Sequence, residues 1–205
     1  MKKLLLSALI LLCFVSFAEA QGNILIAKKK AAPSCNPASN EVGYRSEYVS
    51  AGIHIGLDDA ILVLGTADCS GTLGYAYVYH YDTANDTAKV CVWRDNGATP
   101  NVPDTTDDVL SGMTCSTVTS GSSAGWKQSA AKLGGSVTNG TSYWIGIIGS
   151  NNTYTWSTGF SSTGTTRRYD WDGVAFSYAS PPATLNGDYT NYDTSSSISV
   201  YVEIE

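Results

Sequence analysis

Four tyrosines take alternate positions in one short stretch: Tyr75, Tyr77, Tyr79 and Tyr81. In an extended strand, residues two apart point the same way about 7 Å along, so the four form one aromatic strip opposite Gly74, Ala76, Val78 and His80. Facing inward, four hydroxyls each need a buried partner, at a cost unless every one is met. Facing outward, flat rings with hydroxyl tips suit sugar rings, which offer apolar C–H faces and polar edges. The alternative to ligand binding is a cross-strand aromatic ladder that only stabilises its sheet.

A second aromatic set lies late in the chain and includes Tyr154, Trp156, Phe160, Tyr169, Trp171, Tyr178, Tyr189 and Tyr192. Tyr154 shares a strand face with Trp156, and Tyr169 with Trp171. Loop-borne Trp and Tyr are enriched at recognition surfaces, and the competing role is to plug the end of a β-sandwich. Tyr77, Tyr79, Trp156, Tyr169 and Trp171 are the candidate stacking residues.

Acidic residues gather at Asp95, Asp104, Asp107 and Asp108, and again at Asp58 and Asp59. Calcium takes several carboxylate and carbonyl oxygens, which makes the first four weak candidates for a structural Ca2+ site. Their spacing matches no EF-hand, and a solvated acidic loop is the better account. No cofactor is otherwise expected. Catalysis has little support: there are two histidines, His54 and His80, and no G-x-S-x-G, H-E-x-x-H or P-loop. A glycoside hydrolase needs two opposed carboxylates, and beyond residue 20 the glutamates are Glu41, Glu47, Glu203 and Glu205. Aspartates can serve that chemistry, so a glycan-cleaving enzyme stays a third option behind a non-catalytic module.

Lys2 and Lys3, the apolar run Leu4 to Phe17 and Ala18-Glu19-Ala20 make a secretory signal peptide over residues 1–20. Cys13 follows Leu12, where a lipid-attachment signal wants a small residue, so it belongs to the discarded segment. No later stretch reaches the ~18 consecutive apolar residues of a membrane span. Export is expected, to the extracellular space or the periplasm. Cleavage removes Lys2, Lys3 and Glu19, leaving ten Lys and Arg against seventeen Asp and Glu, a formal charge of −7. That balance argues against nucleic acid and against anionic membranes.

Cys35, Cys69, Cys91 and Cys115 remain, an even number that reads as two disulfides in an exported chain. Spacings of 34, 22 and 24 contain no C-x-x-C pair for zinc. The expected pairs are Cys91 with Cys115, tying neighbouring strands across a long loop, and Cys35 with Cys69, tethering an N-terminal arm.

Residues 21–37 form that arm, and one all-β domain follows over 38–205. Short segments rich in Val, Ile, Thr, Tyr and Trp alternate with Gly, Asn, Asp, Ser and Pro. Expected strands are 44–55, 60–66, 72–81, 88–94, 110–119, 126–131, 142–149, 154–158, 167–171, 174–178 and 197–205. That number suggests a sandwich of two antiparallel sheets. In the last strand Ile198, Val200, Val202 and Ile204 alternate with polar residues and Tyr201, so it should lie inside a sheet with one face buried.

"KVCVWRDNGATP" (89–100), "AGWKQ" (124–128) and "GTSYWIGII" (140–148) stand in an order that resembles a jelly-roll β-sandwich module of bacterial surface and phage-encoded proteins, mostly of unassigned function. In that module a V-x-[VI]-[YW]-x-D-N-G-x-P strand precedes a G-W turn and a G-x-x-Y-W strand. The likeness covers roughly 40–156, and "NGATPNVPDTTDD" is longer and more acidic than the module's turn. The resemblance implies a lectin-like or carbohydrate-binding-like scaffold and favours outward tyrosines, because the module has small and apolar residues where Ala76 and Val78 fall. It also implies core positions for Trp93, Trp126 and Trp144. "GNILIAKKK" is similar to N-terminal arms of exported phage-encoded lectin-like proteins. The expectation is therefore a secreted binding or adhesion module for glycans or cell-surface polysaccharide. The alternative is a structural subunit of a surface assembly or virion decoration, a homo-oligomer docking through residues 22–30. Fold alone decides between neither.

Overall fold

A computed structural model describes residues 40–46, 50–81, 85–97, 102–150, 156–161, 168–171, 176–185, 191–193 and 197–205, with backbone only for 50–54, 156–161, 168–171, 191–193 and 197. The expected signal peptide, the arm and Cys35 lie outside the described residues.

The strands, in chain order, are β1 (Glu41–Gly43), β2 (Ser50–Ile55), β3 (Ala60–Thr66), β4 (Gly71–His80), β5 (Thr87–Arg94), β6 (Ser116–Thr119) and β7 (Gly125–Gln128). They continue as β8 (Ser136–Val137), β9 (Ser142–Gly149), β10 (Trp156–Ser161), β11 (Arg168–Trp171), β12 (Asn191–Asp193), β13 (Ser197–Ile198) and β14 (Val200–Ile204). They form two antiparallel sheets, and no helix occurs among the described residues. The first sheet runs β1-β14-β4-β10-β13, with β2 on β10 and with β7 and β8 on β4. The second runs β12-β11-β3-β9-β5-β6.

Alternation explains how the sheets pack. From the first sheet Leu73, Ala76, Val78, Ile198, Val200, Val202 and Ile204 turn inward to meet Ile61, Val63, Val90, Val92, Ile145 and Ile147 of the second. Each buried Val, Leu or Ile among them contributes about 1.5–3 kcal/mol. The last strand lies between β1 and β4, as its alternation predicts.

The second sheet is also buried on its far face, because consecutive strand residues point to opposite sides. Ala60, Leu62, Cys91, Trp93, Trp144 and Ile148 form a second cluster there, closed over by Phe176 and Leu185 and flanked by Val102, Val109 and Met113. Trp93 Nε1 donates to Pro182 O at 3.1 Å, fixing the covering segment. The space is tight: a Cβ on Gly146 would come within 2.6 Å of the Trp93 ring. This cover corrects two expected strands. Phe176 to Tyr178 is irregular, its side chains spent on the outer cluster. Residues 110–119 are broken by a turn at Gly112 (φ 76°), and the strand begins only at Ser116.

The Cys91–Cys115 disulfide forms as expected, with S–S 2.04 Å, and joins β5 to the segment leading into β6. Its 24-residue separation corresponds to about 3.5 kcal/mol of loop-closure entropy removed from the unfolded chain. Cys69 is also disulfide-bonded. The expected bridge to Cys35 involves a residue outside those described.

One edge of the sandwich is closed by Ser129. Its backbone N donates to Ala76 O (2.8 Å), its Oγ accepts from Ala76 N (3.0 Å), and it bridges to Val118 at the end of the other sheet. Buried backbone groups at this junction are thus paired rather than left open. The consequence for function is that β7 lies directly beside β4.

Candidate functional site

The tyrosine row faces outward. From Tyr75 to His80, β4 alternates half-buried tyrosines with fully buried Ala76, Val78 and His80. A bulge makes the row possible: Val202 pairs with Ala76 but Ile204 pairs with Leu73, so two steps on β14 oppose three on β4. The extra residue lets Leu73 enter the core while Tyr75 stays in line with Tyr77 and Tyr79. Tyr81 lies just past the strand and is 40% exposed.

Neighbouring strands supply the remaining aromatics. Tyr77 stands opposite Tyr201 of β14 and opposite Gln128 of β7, and Tyr79 stands opposite Trp126. Directly opposed side chains in antiparallel strands are close enough for ring contact. The Tyr77 and Tyr201 rings stack at 4.8 Å with 10° between planes. Trp126 meets Tyr79 edge to face at 5.5 Å and Tyr201 at 5.1 Å. Arg45 Cζ lies 4.4 Å over the Tyr201 ring.

Tyr201 is therefore a support. With Arg45, Tyr77 and Trp126 packed around it, Tyr201 keeps only 7% of its surface. Burial pushes its hydroxyl pKa up to about 12 against the lowering effect of Arg45, with Tyr77 and Glu203 adding to the rise. Burial, then the Glu203 carboxylate, also raises Tyr77, whose hydroxyl accepts from Gln128 Nε2 at 2.9 Å.

Two cations beside the rings are paired with carboxylates. Arg45 Nε contacts Glu41 Oε2 at 2.7 Å, and Lys132 Nζ contacts Glu205 Oε1 at 2.7 Å while lying 5.7 Å from the Tyr75 ring centroid. Burial raises the Glu41 pKa although Arg45 opposes it. The surface thus has an aromatic centre and a rim of ion pairs that hold their cations against ring faces.

Of the five candidate stacking residues, Tyr77 and Tyr79 come together here. Trp156 lies on β10 opposite Ile55, while Tyr169 and Trp171 lie on β11 of the other sheet, opposite Leu62 and Ala60. Their side chains are outside the described residues. Trp126 corrects an expectation: Trp93 and Trp144 are fully buried, but Trp126 is half-buried on the outer face of β7. The G-W turn that suggested a core tryptophan opens a strand whose partner register sends Trp126 to the tyrosine side. Tyr201 and Arg45 were not singled out from sequence. The alternation of the last strand places Tyr201 on the correct face, but its neighbour Tyr77 depends on long-range register.

The candidate calcium residues divide. Asp107, almost fully buried, accepts from Asn96 N at 3.0 Å and Asp104 N at 3.1 Å. Asp104 accepts from Thr106 N at 2.8 Å, and Asp95 from Gly97 N at 3.1 Å. Burial is the main cause of the raised pKa of Asp95 and of Asp107. These carboxylates shape the loop through its backbone N–H groups. Asp108 is set apart, its backbone bridged to Thr184. Among the described residues no group of three or more acidic, His or Cys side chains is arranged to hold a metal ion.

Among the described residues no helix is long and apolar enough to cross a membrane. No protein-family model matches the chain, and no curated protein sequence matches it.

Proposed function

We propose that the protein is an exported, non-catalytic binding module whose outer β4 face recognises carbohydrate. The observation that carries this is the joining of Tyr75, Tyr77, Tyr79 and Trp126, all half-buried, into one surface in which Tyr201 of the neighbouring strand packs against Tyr77 and Trp126. Amphipathic rings held in place lose little entropy when a sugar stacks on them, and their polar tips meet hydroxyls. The perpendicular Tyr79 and Trp126 rings make a corner in which a sugar ring has two walls. The leader-like residues 1–20 and the disulfide suit an oxidising compartment outside the cytoplasm.

The test is a glycan-array screen of the chain from Gln21 onward beside a Tyr77→Ala, Tyr79→Ala variant. The proposal expects binding to a defined glycan set that the variant loses while its melting remains cooperative. No binding by the parent chain on a broad array would leave the rings as a sheet-stabilising ladder and overturn it.

A further inference from the structure

Away from the aromatic surface, a groove of about 450 Å3 is lined by Arg94, Asp108, Val109, Leu110, Ser111 and Ser136. Its size falls within the roughly 300–1,000 Å3 of small-ligand sites. The groove is positioned by backbone pairing: Arg94 ends β5, its N donates to Asp108 O at 2.9 Å, and Leu110 N donates to Val92 O at 3.1 Å. Ser136 opens β8, which pairs with the Gly71–Thr72 end of β4.

Four polar side chains, all from exposed residues, border this groove. Among the described residues, the Arg94 guanidinium, the Asp108 carboxylate and the Ser111 and Ser136 hydroxyls make no hydrogen bond, ion pair or ring contact with another protein group. The contrast is with Arg45, Lys132 and Lys89, each engaged by a carboxylate, a carbonyl or a ring. An uncommitted guanidinium presents a planar donor fork that matches a carboxylate in two-point contact. Asp108 accepts only, so it repels that same carboxylate and requires hydroxyl donors. The serines can do either, and Val109 and Leu110 add an aliphatic wall.

A ligand that satisfies all four carries a carboxylate and several hydroxyls on one small, partly apolar body. We propose that this groove binds an acidic sugar unit, a hexuronate, with Arg94 on the carboxylate and Asp108, Ser111 and Ser136 on ring hydroxyls. The site lies apart from the aromatic surface and shares none of its residues.

The experiment titrates D-glucuronate, D-glucose and acetate into isotope-labelled protein and follows the amide and Arg Nε–H resonances of residues 94, 108, 111 and 136. Glucuronate should give saturable shifts at these positions, with glucose and acetate each at least about tenfold weaker, since glucose lacks the carboxylate that Arg94 holds and acetate lacks the hydroxyls that Asp108, Ser111 and Ser136 hold. Arg94→Met should weaken glucuronate by roughly 10- to 100-fold, and Arg94→Lys should recover only part of that. The Tyr77→Ala, Tyr79→Ala variant should bind glucuronate unchanged, which separates this site from the glycan-binding surface. Absence of saturable shifts, glucose binding as tightly as glucuronate, or undiminished binding by Arg94→Met would each overturn the proposal.

Discussion

Replacing Tyr201 with alanine should destabilise the protein more than replacing any of the more exposed rings around it. The side chain keeps 7% of its surface, stacks on Tyr77 at 4.8 Å, meets Trp126 at 5.1 Å and lies under Arg45 at 4.4 Å. Truncating a large buried aromatic costs about 3–5 kcal/mol in a closed core, and a sheet surface that can partly collapse belongs at the lower end, about 3 kcal/mol. For a chain of 205 residues that corresponds to a Tm lower by roughly 6–12 °C. Tyr201→Phe keeps every ring contact and should stay within about 0.5 kcal/mol. Tyr77→Ala should cost less, and a double-mutant cycle between the two should return a coupling near 1 kcal/mol. Calorimetry with urea melts supplies all of these values. A Tyr201→Ala protein melting within about 2 °C of the parent, or a coupling indistinguishable from zero, would refute Tyr201 as the support of the surface.

Alkaline pH should weaken the fold through the same residue. Tyr201 holds its proton to about 12 when folded against an ordinary value of 10.0, so its contribution is intact below 10 and is lost as pH rises through about 12. The rise from 10.0 to about 12 sets a ceiling of about 2.7 kcal/mol, reduced by solvent screening of the hydroxyl near the sheet surface; urea midpoints in this range should fall less steeply for Tyr201→Phe. Removing residues 198–205 deletes β14, which is hydrogen-bonded to both β1 and β4, and should leave no soluble, cooperatively melting protein on size-exclusion and thermal analysis. Gly146→Ala drives a methyl group to 2.6 Å from the Trp93 ring and 2.9 Å from Leu62, and should cost about 1–3 kcal/mol in a denaturant melt, with the disulfide still formed.

Sequence legibility follows the range of the interactions involved. Strands buried on both faces show as near-continuous apolar runs, and 60–66 and 142–149 coincide with β3 and β9; where one face is core, alternation suffices, and β4 differs from its expected bounds by one residue at each end. The short strands β1, β8 and β12 were missed, because two or three residues carry no period and are extended only through their partners. The second cluster was also hidden, since covering segments such as 176–185 pack irregularly and leave no periodic trace. At the site, the tyrosine row was visible as a local pattern. Its joining to Trp126 and Tyr201 was not, because cross-strand register between distant segments decides those contacts.

The most direct measurement of carbohydrate recognition is tryptophan emission during titration with a glycan that the array selects. Trp93 and Trp144 are fully buried, whereas Trp126 stands at the corner with Tyr79. The account predicts a saturable emission change that disappears in Trp126→Phe, with binding itself weakened by roughly 5- to 100-fold in Tyr79→Ala. An emission change that persists unaltered in Trp126→Phe, with affinity unchanged in Tyr79→Ala, would place the ligand elsewhere and contradict the account.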